Sequence, residues 1–330
     1  MSDRRVLFAI RDPGAPRQPG LAKAIQVAKA QGAALELFHA LTETLYVDFG
    51  RYEAGAVDKL RERIEGAARV HLVRLCEHAR KHGVEADYSV EWDYPPHEAV
   101  VSRAVSVGAS LIVAECHKGI RTRPWLVPLT DWELLRTSPV PVLLLKNARP
   151  YHRPVILAAV DPAHAHAKPH ALDERIVAAG SELGKGLRGT LHMLHANYPS
   201  IVGADPSIGA RRAATSWSTL TFEELQEQER AIFEEFRART GIPRTRAHVV
   251  DGNPVTIIPR VAGKLKAGIV VMGAISRSGL ERVFIGNTAE RILGALPCDV
   301  LVIKPKPFTR QALRPARGMR VKMPATPLVA

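Results

Sequence analysis

The sequence predicts an α/β protein that consists of two tandem doubly wound domains, each with a parallel sheet covered by helices on both faces. Short apolar runs alternate with segments of helical periodicity along the chain, and this alternation is typical of strand–helix–strand units with right-handed crossovers. The same series of runs occurs twice within 330 residues. An internal repeat of this length indicates that one structural unit is present in two copies.

Four stretches of the first half recur in the second half in the same order. The matched pairs are residues 4–12 and 153–161, 34–40 and 190–196, 111–114 and 269–272, and 138–146 and 296–304. The offset between partners grows from 149 to 156 and then stays at 158 positions. We therefore predict a first domain over 1–149, a second domain over 150–307 and a tail over 308–330.

The second unit shows its elements most clearly. Its apolar runs are continuous rather than alternating, which indicates strands that are buried on both faces. The predicted strands are 155–160, 190–195, 246–250, 269–272 and 299–303. The predicted helices are 171–185, 222–240, 254–267 and 287–295. Residues 198–220 have no clear period, and we interpret them as a long loop.

Composition favours a cytoplasmic protein with no membrane partner. The apolar fraction of 46% and the charged fraction of 24% are those of a soluble globular protein. No apolar run is long enough to cross a bilayer, and the N-terminus enters a strand-like run with no room for a signal peptide. The three cysteines are scattered, which favours reduced thiols.

The tail carries much of the formal charge of +13. Residues 305–330 contain six Lys and Arg residues and no acid, and a proline-rich basic segment of this kind is expected to be disordered. Such a segment could bind nucleic acid. Because no aromatic residues are interleaved with the basic ones for base stacking, we favour a solvated tail over a nucleic-acid interface.

The segment 270–293 predicts a nucleotide site in the second domain. In a doubly wound sheet, ligands bind beyond the carboxyl ends of the strands, where three segments of this domain should meet. Glycines permit close backbone approach to phosphate, a helix N-terminus attracts it, an arginine offsets its charge, and Asp161 could accept from an adenine amino group or a ribose hydroxyl. The candidate residues are Val160, Asp161, Pro162, Ala196, Met272, Gly273, Ser276, Arg277, Gly279, Gly286, Asn287 and Thr288. On spacing alone, glycines that only shape a turn and a helix cap with nothing bound are an equally good interpretation.

The order of these residues resembles a known family. The Gly-x2-Gly-x9-Gly-Ser/Thr loop of universal stress proteins follows an apolar strand, and here it is matched by Gly273, Ser276 and Gly286 followed by Asn287. Other features resemble the two-domain members of group E of this family. These features are the tandem repeat, residues 130–132, residues 286–290 and the ending 302–305. The resemblance implies a five-stranded sheet of order 3-2-1-4-5 in each domain and pairing of the domains through their last strands. It also implies a stress-response role through binding.

Departures from the family loop limit the nucleotide prediction to the second domain. Ser276 stands where the family has glycine, and Asn287 stands where it has a hydroxyl residue, so ATP with Mg²⁺ is a candidate ligand there. At the offset of 158, the first domain has Glu115, Lys118 and Pro128 in place of the three loop positions. A carboxylate repels phosphate and proline lacks a donor. We therefore expect a degenerate first domain that binds no ATP and serves as a pairing partner, with Cys116, His117 and Lys118 forming loop surface rather than a site for another ligand.

No catalytic or metal site is predicted. The sequence has no Ser-His-Asp order, Walker lysine loop or Rossmann fingerprint, and a nucleotide hydrolase or transferase of the same fold is kept as the alternative, with Glu281 and Glu290 as the nearby acids. His164, His166 and His170 favour a solvated loop over a metal site. His39 and His195, at matching strand ends, favour packed residues bonded to the backbone. A homodimer and an unidentified protein partner both stay open.

Overall fold

The computed structural model describes residues 4–46, 55–116, 130–163, 171–198, 222–273, 287–305 and 314–322. The elements of the first domain are β1 (Arg5–Ala9), α1 (Pro19–Ala30), β2 (Ala34–Leu41), β3 (Thr44–Tyr46), α2 (Ala56–Lys81), β4 (Ala86–Trp92), α3 (Pro96–Ser106), β5 (Leu111–Glu115), α4 (Thr130–Thr137) and β6 (Val142–Leu145). Strands and helices alternate, as the apolar pattern predicts.

The second domain repeats this series. Its elements are β7 (Val155–Val160), α5 (Leu172–Gly186), β8 (Thr190–Asn197), α6 (Phe222–Thr240), a short 3-10 helix (Arg244–Arg246), β9 (Ala247–Asp251), α7 (Pro254–Lys264), β10 (Ala267–Gly273), α8 (Asn287–Ala295) and β11 (Asp299–Ile303). Helix α7 ends three residues earlier than the predicted 254–267. Lys266 has a φ of 50°, and this left-handed residue ends the helix and starts β10.

Ten strands form one sheet in the order β4-β2-β1-β5-β6-β11-β10-β7-β8-β9. Counted within each domain and leaving out the short β3, this is 3-2-1-4-5. Neighbouring strands are parallel within both domains, whereas β6 and β11 pair antiparallel. The α/β fold with two tandem domains is therefore confirmed.

The two domains are related by a local pseudo-twofold axis at the β6–β11 pair. Leu143 lies opposite Leu301, which is its own counterpart at the offset of 158. Lys146 donates from its ammonium to the carbonyls of Leu293 and Leu296 near the end of α8, at 2.6 and 2.7 Å. The counterpart Lys304 donates to a carbonyl at the end of α4, at 3.3 Å. Each last strand therefore carries a lysine that bonds to carbonyls near the end of a helix in the other domain, where cations are favourable.

A buried polar network also joins the domains. The ammonium of Lys23 on α1 lies 2.5 Å from Oδ2 of Asp299 on β11, and both side chains are at most 1% exposed. Tyr151 donates its hydroxyl to the same oxygen at 2.6 Å, and the backbone N–H of Lys146 donates to Oδ1 at 2.8 Å. Because each charge is paired and hydrogen-bonded, the network fixes the domains in one relative position.

The core lies on both faces of the sheet. On one face, a continuous cluster runs under α1, α2, α5 and α6 and includes Phe8 of β1, Leu72 of α2 and Phe233 of α6. On the other face, a second cluster includes Leu7 of β1, Ile257 of α7 and Ile292 of α8. Adjacent residues of one strand thus serve opposite layers, and the continuous apolar runs of the sequence follow from burial on both sides.

The C-terminal segment differs from its predicted disorder over residues 314–322, which we call the C-terminal arm. Arg320–Lys322 form β12 and pair in parallel with β3. Arg314 donates to Asp93 and Glu98, each at 2.9 Å, and Arg317 lies 2.9 Å from Glu98. Composition suggested a solvated segment, but acids on the first domain neutralise the arginines and hold the arm in place.

Candidate functional site

Three strands of the second domain bring predicted site residues together at their carboxyl ends. Met272 lies opposite Ala159 in the β10–β7 pair, and Val160 lies opposite His195 in the β7–β8 pair. Asp161 and Ala196 come next along β7 and β8. Val160, Pro162 and Met272 are buried, while Ala196 and Gly273 are half-buried. The side chain of Asp161 is 40% exposed, so this edge presents its carboxylate to solvent.

Two neighbours hold Asp161 in place. Its backbone N–H donates to Oδ1 of Asp173 at 3.1 Å, and Asp173 lies in the first turn of α5. Its own Oδ1 lies 3.8 Å from Nδ1 of His195. The backbone of Asp161 is thereby tied to α5 at the strand end, and its partly exposed carboxylate can accept hydrogen bonds from a ligand.

His195 is a packed residue, as predicted, but it also has a partner that sequence reasoning missed. Its Nδ1 lies 3.3 Å from the Val160 carbonyl oxygen, and the counterpart His39 has Nδ1 at 2.9 Å from the carbonyl oxygen of Ile10. On the other side of the ring, Nε2 lies 3.5 Å from Oε2 of Glu229 on α6. Glu229 belongs to an acidic helical stretch in which nothing distinguishes it in sequence, since only the packing of α6 on β8 brings it to the histidine.

Gly273 has a packing role in the structure. A Cβ atom built on it would lie 2.8 Å from Cδ2 of Leu172 and 3.3 Å from Cδ1 of Ile176, both on α5. These distances are too short for any larger residue to fit unless the side chains of Leu172 and Ile176 move. The glycine therefore allows α5 to approach β10 closely, and this close approach explains its presence without a ligand.

The remaining predicted positions lie partly outside the described residues. Ser276, Arg277, Gly279 and Gly286 fall outside them, as do His164, His166 and His170. Asn287 and Thr288 are the first residues of α8, and the description covers their backbone only. The structure thus describes the predicted site residues at the ends of β7, β8 and β10, whereas the predicted contacts to the phosphates stay a prediction.

The first domain carries a carboxylate at the position that matches Gly273. Oε1 of Glu115, the last residue of β5, accepts from the backbone N–H of Gly20 at 2.5 Å. Gly20 lies in the first turn of α1, where backbone donors have no intrahelical partner. A Cβ on Gly20 would lie 2.4 Å from that oxygen. The glutamate therefore fills the anion position at this helix N-terminus, and glycine is required to let it in.

A cavity of about 580 Å³ opens at this edge of the first domain. It lies at the carboxyl ends of β1, β2, β5 and β6, beside the N-termini of α1 and α3. The residues that line it are Ala9, Ile10, Arg11, Pro19, Gly20, Phe38, Ala40, Thr42, Pro96, His97, Val100, Ala114, Glu115, Cys116, Leu134, Leu145, Lys146, Asn147 and Ala148. Five of these, Ile10, Arg11, Ala40, Ala114 and Glu115, are the counterparts of Val160, Asp161, Ala196, Met272 and Gly273 in the strand registers. The cavity thus occupies in the first domain the position of the site predicted for the second.

Two features are absent from the described part of the chain. None of its helices combines the length and apolar character that a membrane span requires. No group of three or more His, Cys, Asp and Glu side chains in it could hold a metal ion.

Comparison with known proteins identifies the family. The model of the "Universal stress protein family" matches residues 4–146 and 153–304. Universal stress protein E of Escherichia coli K12 is 27% identical over 302 residues, which is 92% of this chain and 94% of that protein. A homologue of the same protein in Haemophilus influenzae is 27% identical over 91% of this chain and 97% of its own. The crystal structure of a putative universal stress protein from Pseudomonas aeruginosa UCBPP-PA14 aligns with a TM-score of 0.69 and 26% identity, covering 92% of this chain and 93% of that one. The chain belongs to the universal stress protein family.

Proposed function

We propose that this universal stress protein acts in the cytoplasm as a stress-response protein that binds an adenine nucleotide in its second domain and does not turn it over. The observation that carries the proposal is the 40% exposed carboxylate of Asp161 at the end of β7, between the ends of β8 and β10. Open α/β sheets bind their ligands at such a switch point. The stress-response role rests on the family and on its E-type relatives.

The described residues suit the base and ribose side of a nucleotide. Asp161 offers acceptor oxygens to an adenine amino group or a ribose hydroxyl, and Asp173 and His195 restrict its movement. We assign the phosphates, with Mg²⁺ accompanying ATP, to the segment from Ser276 to Thr288. Near the described part of this site, Asp173 accepts from the backbone N–H of Asp161, and Glu229 faces His195. Neither carboxylate is therefore placed as a base for an attacking water.

Calorimetric titration of the full chain with Mg-ATP tests the proposal. Asp161→Asn should weaken binding by about tenfold or more, because a neutral amide oxygen replaces a charged acceptor and the hydrogen bond loses its charge assistance. The control is Asp12→Asn, which changes a carboxylate just after β1 in the first domain, where Asp12 accepts from the Gly14 N–H. It should leave the affinity within about twofold. Equal affinity of the Asp161→Asn variant and the unchanged protein would reject the assignment.

A phosphate-release assay separates binding from turnover. The proposal expects no release above the rate of ATP alone, with one nucleotide bound per chain. Release that is lost in the Asp161→Asn variant and retained in the Asp12→Asn variant would instead support the hydrolase alternative. Absence of both binding and release would leave the second domain without a nucleotide role and overturn the proposal.

A further inference from the structure

The first-domain cavity differs from a phosphate site in its charge. Glu115 is the acidic residue among those lining it, and its Oε1 accepts from the Gly20 N–H at the start of α1. In a phosphate site that helix terminus would be open to an anionic ligand. Here the protein supplies the anion itself, so an incoming phosphate or carboxylate would meet a negative charge in place of a donor.

The basic residues of the lining do not reverse this preference. Lys146 directs its ammonium to the carbonyls of Leu293 and Leu296, outside the cavity and at 2.6 and 2.7 Å. Burial lowers the pKa of His97 below its ordinary value, so its imidazole is neutral at pH 7. Arg11 is exposed, and its charge is screened by solvent. The carboxylate is thus the charge that a ligand inside the cavity would meet.

The rest of the lining is mainly apolar. Phe38 from β2, Val100 from α3, Leu134 from α4 and Leu145 from β6 are each at most 8% exposed and belong to the walls. The volume of about 580 Å³ is within the range of small-molecule pockets, which combine apolar walls with a few polar groups that fix orientation. Such a cavity suits a molecule with an apolar body and one polar end.

We propose that the first-domain cavity binds a small, largely apolar molecule that carries an ammonium group, with the ammonium against Glu115, and that it rejects ligands with an anionic group at that end. The molecule is held by burial of its apolar body and by a charge-assisted hydrogen bond to the carboxylate. The site is separate from the nucleotide site proposed in the second domain and uses the opposite charge.

Two dansyl compounds of similar size test the charge preference. Dansylcadaverine carries a primary ammonium, and dansylglycine carries a carboxylate on the same fluorophore. Titrated into the full chain, the amine should give a saturable increase in emission, and the acid should bind at least tenfold more weakly. Equal binding of the two probes, or binding of neither, would overturn the proposal. So would displacement of the amine by saturating Mg-ATP.

Variants then locate the site. Glu115→Gln keeps an oxygen that can accept from Gly20 and removes the charge, so amine binding should weaken at least tenfold. Asp12→Asn removes a nearby carboxylate that does not line the cavity, and it should leave amine binding within twofold of the unchanged protein. Ala40→Phe fills the cavity and should abolish binding. If the Ala40→Phe protein does not fold, the pair of carboxylate variants still decides, because unchanged amine binding in Glu115→Gln would reject the site.

Alkylation of Cys116 gives an independent readout of position. Cys116 lines the cavity, whereas burial raises the pKa of the Cys76 and Cys298 thiols to about 11 and makes both slow to react. Peptide mass spectrometry after iodoacetamide treatment should show that saturating dansylcadaverine slows the labelling of Cys116 severalfold. Equal labelling with and without a probe that binds would place the probe elsewhere and overturn the assignment.

Discussion

In the first domain, a glycine on helix α1 makes room for a glutamate at the end of β5. In the second domain, a glycine at the end of β10 makes room for a leucine on helix α5. In both domains the start of a helix contacts the end of a strand. The strand supplies the side chain that fills this contact in the first domain, and the helix supplies it in the second. The side chains of Glu115 and Leu172 are similar in volume but differ in chemistry. Glu115 brings a carboxylate to the helix terminus, whereas Leu172 brings an apolar side chain to the strand. The repeat retains the packing and changes what a ligand would meet.

The largest expected effect breaks this contact in the first domain. In Gly20→Ala the new Cβ would lie 2.4 Å from Oε1 of Glu115 and 2.9 Å from Cζ of Phe8. We expect a loss of about 1–3 kcal/mol in the free energy of unfolding, measured by urea denaturation. Adding Glu115→Gly should recover part of that loss, because it removes the nearer of the two clashes.

The second domain supplies the mirrored control for this experiment. Gly273→Ala places its Cβ 2.8 Å from Leu172, and Leu172→Ala should relieve that clash while Glu115→Gly should not. Each rescue is measured as the interaction free energy of a double-mutant cycle. Strictly additive effects within both pairs would show that the two glycines do not serve the contacts assigned to them.

A second difference between the domains concerns the carboxylates at the ends of β4 and β9. Asp93 and Asp251 are counterparts at the offset of 158. Asp93 is 1% exposed and is bonded by Arg314 of the C-terminal arm. Burial alone would raise the pKa of Asp93, but hydrogen bonds from Arg314, Arg317 and Tyr94 lower it below the ordinary value. Asp251 is 47% exposed and pairs with Arg230 of its own domain at 2.6 Å.

Removal of the arginine from each pair should therefore have unequal effects. Arg314→Ala leaves a buried carboxylate with fewer donors, and we expect it to lower the free energy of unfolding by about 1–2 kcal/mol. Arg230→Ala breaks an exposed pair and should cost less than about 1 kcal/mol. Urea denaturation measures both, and limited proteolysis should show faster cleavage near the arm in the first variant alone. Equal losses would mean that the arm adds no more than a surface contact.

The periodicity of apolar residues was sufficient to predict the strands, the helices and the parallel sheet, whereas the strand order and the pairing of the domains were predicted from the family resemblance. The five predicted strands of the second unit all occur, for example 155–160 as β7 and 299–303 as β11, because a strand buried on both faces leaves a continuous apolar run. The end of α7 was wrong by three residues. It depends on the left-handed backbone of Lys266, and a lysine in the sequence does not indicate a positive φ.

The site could be predicted only in part. Asp161 was found because it directly follows a strand, and the carboxyl ends of parallel strands meet at one edge. Glu229 was missed because α6 brings it to His195 from a distant part of the chain. The docking of Arg314 was missed for a similar reason. A basic segment is predicted to be solvated unless the acids that bind it, such as Asp93 directly after β4, are known to be close in space.

The smallest predicted effect concerns the two lysines at the domain interface. Burial lowers the pKa of Lys304 from its ordinary value to about 8, and burial also lowers that of Lys146. Between about pH 8 and the ordinary lysine pKa, the unfolded chain retains a proton that the folded Lys304 releases. The free energy of unfolding must therefore rise with pH in this window.

Comparison of the unchanged protein with Lys304→Met isolates that contribution. From pH 8 to pH 9 the free energy of unfolding should rise by about 1 kcal/mol more in the unchanged protein than in the variant, measured by urea denaturation at each pH. Lys146→Met is the matched control for the other domain and should also flatten the profile. Because Lys146 makes two close hydrogen bonds, of 2.6 and 2.7 Å, the Lys146→Met variant should also be less stable than the unchanged protein at pH 7. Parallel profiles for Lys304→Met and the unchanged protein would mean that the Lys304 amine is charged throughout this pH range.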